Sequence, residues 1–275
     1  MFPIRHHANI GFYVVAMGSD KPFSALMTDA LPDLAMWGSS SGQFFSRWTY
    51  QLVEDEGTLD FGGGDVDEWG YRRTDNITDD ILAIYQAAVG DQASKDDIFY
   101  YIYGNLHDPG YRSRYAADLK KMLPHIPTPD TLDRFQHVAE VGRQLADLHV
   151  GYEDVEPYPL DVQLRTGASA SNRDIWRVDK MKWRSKTDRS AMVYNNAVTV
   201  AGIPDAAHDY MLGSRSSLEW IIDRYQVKTD KASGIVNDPN DWCDEHDDPT
   251  YIVELIKKVT TVSVRTVELV AQLAT

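Results

Sequence analysis

Between Ile10 and Tyr50 the apolar residues come in short bursts, IGFYVVAM and QFFSRWTY, separated by Gly, Ser, Asp and Pro. Aromatic and β-branched bursts bounded by such residues predict short strands. The next stretch, DEGTLDFGGGDVDEWG, follows neither period and reads as a loop. Helical spacing then takes over, predicting helices over Ile77–Val89, Lys95–Leu106, Tyr111–Leu123 and Leu132–Tyr152, with Asp108-Pro109 as the break. Ser94, with Asp97 three residues on, makes a capping start for the second of these. In the last, Phe135, Val138, Val141, Leu145 and Leu148 line one face.

Past Pro157 and Pro159 the period shortens to two. Ile175–Trp183, Ser190–Tyr194 and Ala197–Ala201 predict a three-stranded meander, with the turn at Asn195-Asn196 because asparagine tolerates positive φ. Alternation along the first of these strands places Lys180, Lys182 and Arg184 on one face and Met181 and Trp183 on the other. Pro204–Leu212 and Ser217–Tyr225 predict short helices. A final helix begins at Asp248-Pro249, with Ile252, Leu255, Ile256, Val259, Val262, Val267 and Val270 as its buried stripe. The pattern is that of an α+β protein with a β-rich N-terminal part, a helical middle, a small antiparallel β-meander and C-terminal helices. Its 275 residues suffice for one domain or for two packed lobes, a β-rich 1–90 and a helical 91–275 carrying the meander.

Composition narrows the function classes. No apolar run approaches the roughly 20 residues that span a bilayer, and MFPIRHHANIGF lacks the apolar core of a signal peptide, so a cytoplasmic protein with no membrane partner is expected. Cys243, the one cysteine, excludes an internal disulfide and a cysteine-based zinc site. Lying among Asp241, Asp244, Glu245 and Asp247, it is expected to be an incidental surface thiol. His137 and His149 stand twelve residues apart on their helix, too far for ligands on adjacent turns, and read as core-edge or surface histidines. The aromatic FYYIYG places Phe99, Tyr100, Ile102 and Tyr103 in a core.

The net charge of −15 opposes simple DNA binding, since phosphate neutralisation supplies much of such affinity. The distribution is uneven, however. Arg165, Arg173, Arg177, Lys180, Lys182, Arg184, Lys186 and Arg189 face Asp174, Asp179 and Asp188 within one short segment, giving it +5 and leaving −20 for the rest. A basic ribbon with an apolar back fits the DNA major groove, and a solvated strand face has the same composition. Lys228 and Lys231, in QVKTDKASG, either meet phosphates or a catalytic domain, or pair with Asp230 and the acids of Asn237–Asp248.

Catalytic motifs are absent. There is no GxxxxGK[ST] loop, no GxGxxG fingerprint, no Asp/Asn-Pro-Pro-aromatic tetrapeptide for adenine methylation, and no acidic pair followed by Glu-x-Lys. What remains is wording. Glu219–Trp242, EWIIDRYQVKTDKASGIVNDPNDW, with Phe99–Pro124, Phe135–Pro159 and Met17–Leu34, resembles the C-terminal target-recognition (specificity) region of single-polypeptide Type ISP restriction–modification enzymes. Gln43–Tyr50 and Thr58–Arg73 depart from the usual wording, a place for specificity to diverge.

The resemblance implies recognition of an asymmetric double-stranded DNA site on behalf of methyltransferase and translocase domains of the same polypeptide. ATP, S-adenosylmethionine and magnesium then belong to those other domains, and no cofactor, metal or catalytic residue is expected in this chain. The DNA-contacting candidates are Arg173, Arg177, Lys180, Lys182, Arg184, Lys186, Arg189, Lys228 and Lys231. Two rivals stand beside this: an assembly module that docks on catalytic domains with little DNA contact, and an enzyme with an acidic site around Asp60–Glu68.

Overall fold

The computed structural model describes residues 1–36, 41–53 and 65–274. Their contacts gather into two units, Met1–Val150 with Leu269–Thr275, and Gly151–Glu268. In the first, β1 (Gly11–Val15) is the centre of an antiparallel sheet between β2 (Ala25–Thr28) and β3 (Gly42–Ser46), with Phe12 opposite Met27 on one side and Phe45 on the other. Every residue of β1 is buried, which is why its sequence is a continuous apolar run rather than an alternation. β4 (Trp48–Leu52) and β5 (Tyr71–Asp75) pair as a separate antiparallel ribbon. The sequence YRRTD of β5 has little strand propensity, and its extended state rests on the ladder to β4. Arg47, 4% exposed at its side chain, joins that ribbon to the start of the second helix through ion pairs to Asp75 and, at 2.8 Å, Asp96.

Four helices follow: α1 (Asp79–Val89), α2 (Lys95–His107), α3 (Pro109–Arg114) and α4 (Leu132–Val150). Thr78, Ser94 and Asp108 cap the first three by accepting from backbone amides of the opening turn, and Pro109 occupies a position where its missing N–H costs nothing. The helix expected over Tyr111–Leu123 ends at Arg114. Beyond it, amides bond both three and four residues back, as from Asp118 and Leu119 to the Tyr115 carbonyl, and the chain proceeds in turns.

The backbones of α2 and α4 touch. A Cβ on Gly142 would lie 2.0 Å from the Tyr100 carbonyl oxygen, and one on Gly104 would lie 2.5 Å from that of Val138. This close crossing packs Ile98, Phe99, Tyr101, Tyr103, Val138 and Leu145 into the core. Tyr100 and Ile102, expected there, are only half-buried. From α2, Phe99 and Tyr103 meet Phe12 of β1 at centroid distances of 5.5 and 6.1 Å. The Tyr103 hydroxyl accepts from the Met27 amide at 2.8 Å and donates to Nδ1 of His149 at 2.6 Å. Because α2 and α4 pack against β2, the helical middle belongs with the N-terminal strands, and the division falls after Val150 rather than at residue 90.

The second unit contains β6 (Asp161–Leu164), β7 (Lys182–Trp183), β8 (Ala191–Val193) and β9 (Val198–Ala201), which form an antiparallel sheet in the order β6-β9-β8-β7. Two hairpins follow, β10 (Met211–Leu212) with β11 (Arg215–Ser216), and β12 (Lys228–Thr229) with β13 (Val236–Asn237). Between them lies α5 (Ser217–Arg224), entered through a reciprocal capping box of Ser216 and Glu219. The unit ends with α6 (Asn240–Glu245) and, as far as Glu268, the long α7 (Tyr251–Leu273). Pro204–Leu212, expected as a helix, is one 3-10 turn over Asp205–His208 followed by β10. Met192, Tyr194, Val198 and Val200 of the sheet pack with Leu218 of α5 and with Ile252, Leu255 and Ile256 of α7. Among the described residues no helix is long and apolar enough to cross a membrane.

Two expectations follow from this packing. Gly142→Ala drives a methyl group into the Tyr100 carbonyl, and overpacking of this kind costs about 1–3 kcal/mol; a lower urea midpoint with unchanged slope will report it. His149 is 4% exposed, and burial, with the Arg112 guanidinium adding to it, pushes its imidazole down to about 3. A base whose folded-state affinity for protons is depressed contributes full stability above about pH 6.5 and loses it as the pH falls towards 3, by up to about 1.4 kcal/mol per pH unit for each extra proton bound on unfolding. Urea titrations between pH 7.5 and 4.5 are expected to show this decline, and His149→Gln, which keeps an acceptor for Tyr103 and cannot titrate, to reduce it, the remainder coming from His107, whose burial also holds its imidazole well below the usual range.

Candidate nucleic-acid interface

The meander forms with a much shorter first strand than its period suggested. Residues 173–176 make a 3-10 turn capped by Asn172, and only Lys182–Trp183 pairs, with Met192 and Val193. Several polar backbone groups around the intervening segment go to two asparagine side chains. Asn240 holds both the Val178 amide and its carbonyl at 2.8 Å, and Asn195 donates to the Ile175 and Arg177 carbonyls at 2.7 and 2.9 Å. A segment whose amides and carbonyls are satisfied by side chains has no need of a neighbouring strand. Asn195 also accepts from the amides of Ala197 and Val198, which closes the β8–β9 turn. Asn195 and Asn196 are not among the positive-φ residues, so the turn is made by a side chain and not by the left-handed backbone expected of it.

The alternation itself survives where the strand is short. Met181 is 2% exposed, while Lys180, Lys182 and Arg184 face solvent. Since β7 is the edge of its sheet, these cations lie along an open margin.

The other basic residues divide. Arg177 pairs with Asp244 at 2.7 Å and Asp238 at 3.7 Å, and Arg173 pairs with Asp247. Arg184 meets Asp188 at 3.4 Å and Arg189 meets Glu219 at 3.2 Å. Arg165, Lys180, Lys182 and Lys186 are exposed and make no ion pair among the described residues. The arginines of the segment are thus largely committed to local acids, and its lysines retain their charge for a partner.

Lys228 and Lys231 lie on the β12–β13 hairpin. Asp230 is not their counter-ion. Its carboxylate accepts from the Ser233 amide and hydroxyl and from the Ala232 amide, bonds that hold it below the usual carboxylate range and shape the tip around Gly234, at φ +72. Lys228 instead reaches Asp223, at 2.7 Å to its carbonyl and 3.4 Å to its carboxylate. Lys231 is exposed and forms no ion pair among the described residues. Beside it Ile235 and Val236 are 67% and 55% exposed.

Sequence reasoning missed α6 and with it the counter-charges Asp238, Asp244 and Asp247. The signal was Asp238-Pro239 ahead of Asn240, a helix start embedded in what read as a connection. The same helix buries Cys243 to 3% exposure, so it is a core thiol and not a surface one, pushed up by burial and by the Asp248 carboxylate. Among the described residues no group of three His, Cys, Asp or Glu side chains is placed to hold a metal ion. Of the acidic stretch Asp60–Glu68, residues 60–64 lie outside the described residues.

Comparison with known proteins places this geometry. The family model of the Type ISP C-terminal specificity domain matches residues 1–255. Comparison with curated proteins finds no match. Among solved structures, the ATP-dependent Type ISP restriction–modification enzyme LlaBIII bound to DNA is 33% identical, with a TM-score of 0.82 over 99% of this chain and 16% of its own. A nuclease-deletion mutant of the Type ISP enzyme LlaGI, in complex with a DNA substrate mimic, is 36% identical, with a TM-score of 0.76 over 99% of this chain and 22% of its own. The DrdV–DNA complex is 31% identical, with a TM-score of 0.76 over 98% of this chain and 25% of its own. This chain therefore spans a quarter or less of those relatives and belongs to the Type ISP C-terminal specificity domain family.

Proposed function

We propose that this chain recognises a double-stranded DNA target for a larger restriction–modification polypeptide in the cytoplasm. The observation that carries the reading is the cationic margin of Lys180, Lys182 and Lys186 on and around the edge strand β7 of a specificity domain whose relatives were solved with DNA. Exposed lysines without acidic partners release counterions when they meet phosphates, which gives affinity and orientation without reading sequence. Arg184, Arg189 and Lys231 flank them as further contacts. Arg173, Arg177 and Lys228 spend their charge on local acids and take a lesser part, mainly by fixing the surface. Catalysis, ATP, S-adenosylmethionine and magnesium belong to the methyltransferase and translocase domains of the polypeptide, and this chain presents the site to them.

A second reading has its own support. The strongly acidic remainder and the exposed Ile235–Val236 pair suit a module that mainly docks on its catalytic neighbours. Lysines on an edge strand also discourage unwanted strand pairing.

The two separate on salt dependence. Replacing Lys180, Lys182 and Lys186 together with alanine is expected to weaken DNA binding and to reduce the slope of log K against log salt by about 0.9 for each phosphate no longer neutralised. Arg177→Ala is expected instead to lower stability with little change of slope. An unchanged slope in the triple variant would leave the assembly reading standing. Hydrolysis of ATP, or methyl transfer, by this chain and abolished by a point substitution in it would remove the non-catalytic assignment.

A further inference from the structure

The first unit carries an aromatic cleft of about 400 Å³ at the base of the β4–β5 ribbon, lined by His6, His7, Tyr50, Asp65, Tyr71 and Arg73. The ladder sets Tyr50 opposite Arg73, so both stand on one face of the ribbon. His7 stacks on Tyr50 at 4.3 Å with the planes within 14°, and its edge meets Tyr71 at 5.0 Å. Tyr50 is held in place by donating its hydroxyl to the Ala8 carbonyl at 2.9 Å. Alongside, exposed His6 stacks on Trp69, which is itself 44% exposed. Arg73 is exposed and lies over Trp48 at 4.3 Å, the arrangement of a cation held by an aromatic face yet open to an anion.

His7 is the unusual member. It is 7% exposed, and its Nε2 lies 2.6 Å from the Asp67 carboxylate, to which it donates. Asp67 is fixed in turn by the amides of Trp69 and Tyr71, at 3.0 and 2.9 Å. In the neutral ring that donates Nε2–H to Asp67, Nδ1 is an acceptor, and it has no hydrogen-bond partner among the described residues. Leaving a buried acceptor unpaired is unfavourable, and a donor from a ligand offsets this. With the Asp65 carboxylate, the cleft offers acceptors between aromatic walls and a cation at its mouth.

We propose that this cleft binds adenine, an amino-bearing nucleobase, of a DNA strand. The ring stacks on the aromatic wall, the exocyclic amine donates to the acceptors, and Arg73 meets the attached phosphate. Only the identification of the ligand as DNA rests on the target-recognition reading; the stacking and hydrogen-bonding chemistry stands on the cleft. The lysine margin of the second unit supplies position, and this cleft supplies discrimination.

The test uses free nucleotides, so it does not depend on DNA binding by the lysine margin, and the two readings fail separately. Adenosine 5′-monophosphate, inosine 5′-monophosphate, ribose 5-phosphate and tetramethylammonium are titrated into the 275-residue chain while the histidine ring signals are followed by NMR. Adenosine monophosphate is expected to shift the His6 and His7 signals. Inosine monophosphate, which lacks the amine, is expected to bind about tenfold more weakly, the equivalent of one hydrogen bond. Ribose 5-phosphate is expected to leave the signals in place. Arg73→Gln and His6→Ala, both at exposed positions, are expected to weaken the binding while leaving the urea midpoint unchanged. Equal affinity for the two nucleotides, displacement by tetramethylammonium, or no response to adenosine monophosphate up to about 10 mM would each overturn the proposal.

Discussion

The first unit depends on the contact between the backbones of α2 and α4. Glycine at 104 and 142 removes the two side-chain stubs that would hold these helices apart, and the resulting approach brings Tyr103 and His149 into one buried chain of hydrogen bonds. Through the Tyr103 hydroxyl that chain reaches the Met27 amide on β2, so helix packing also fixes the sheet. Arg47 extends the same framework to the β4–β5 ribbon by joining Asp75 to Asp96 at the start of α2. Ring and guanidinium positions on that ribbon are therefore set by a rigid core rather than by the loops around it.

In the second unit the organising device is side-chain mimicry of a strand. Asn240 and Asn195 hold backbone groups of Ile175, Arg177 and Val178, so the strand is shortened to β7, which lies at the edge of its sheet. The same α6 that supplies Asn240 carries Asp244, which meets Arg177. One short helix thus both shortens that strand and neutralises Arg177. The lysines lie beyond its reach. A chain of net −15 presents a local cationic margin because its acids neutralise arginines close to α6 and leave Lys180, Lys182 and Lys186 alone.

On the proposed reading the two units take different parts of recognition. Lysine is a compact charge on a flexible stem and meets phosphates without demanding one geometry. Stacked rings and fixed acceptors demand a particular partner. On this proposal an acidic chain, whose overall field opposes approach to DNA, has long-range attraction from one surface and short-range selection by another.

Much of this was legible along the chain. Helical spacing located α1, α2, α4 and α7, Ser94 marked a cap, and the unusual wording of Glu219–Trp242 already pointed to the specificity family. Period-two alternation placed Lys180 and Lys182 outward and Met181 inward. These are properties of nearest neighbours on one element, which periodicity encodes directly. Other features depend on partners far away in sequence. The ladder to β4 makes a strand of YRRTD, Asn240 shortens another from sixty-two residues away, and α6 turns an expected surface thiol into core. The sequence by itself determined which residues are charged, which face of an element is apolar and which family the chain resembles. Only tertiary structure decided which charges stay free, because a charge is neutralised by whatever the fold brings within a few ångströms of it, and no local pattern records that distance.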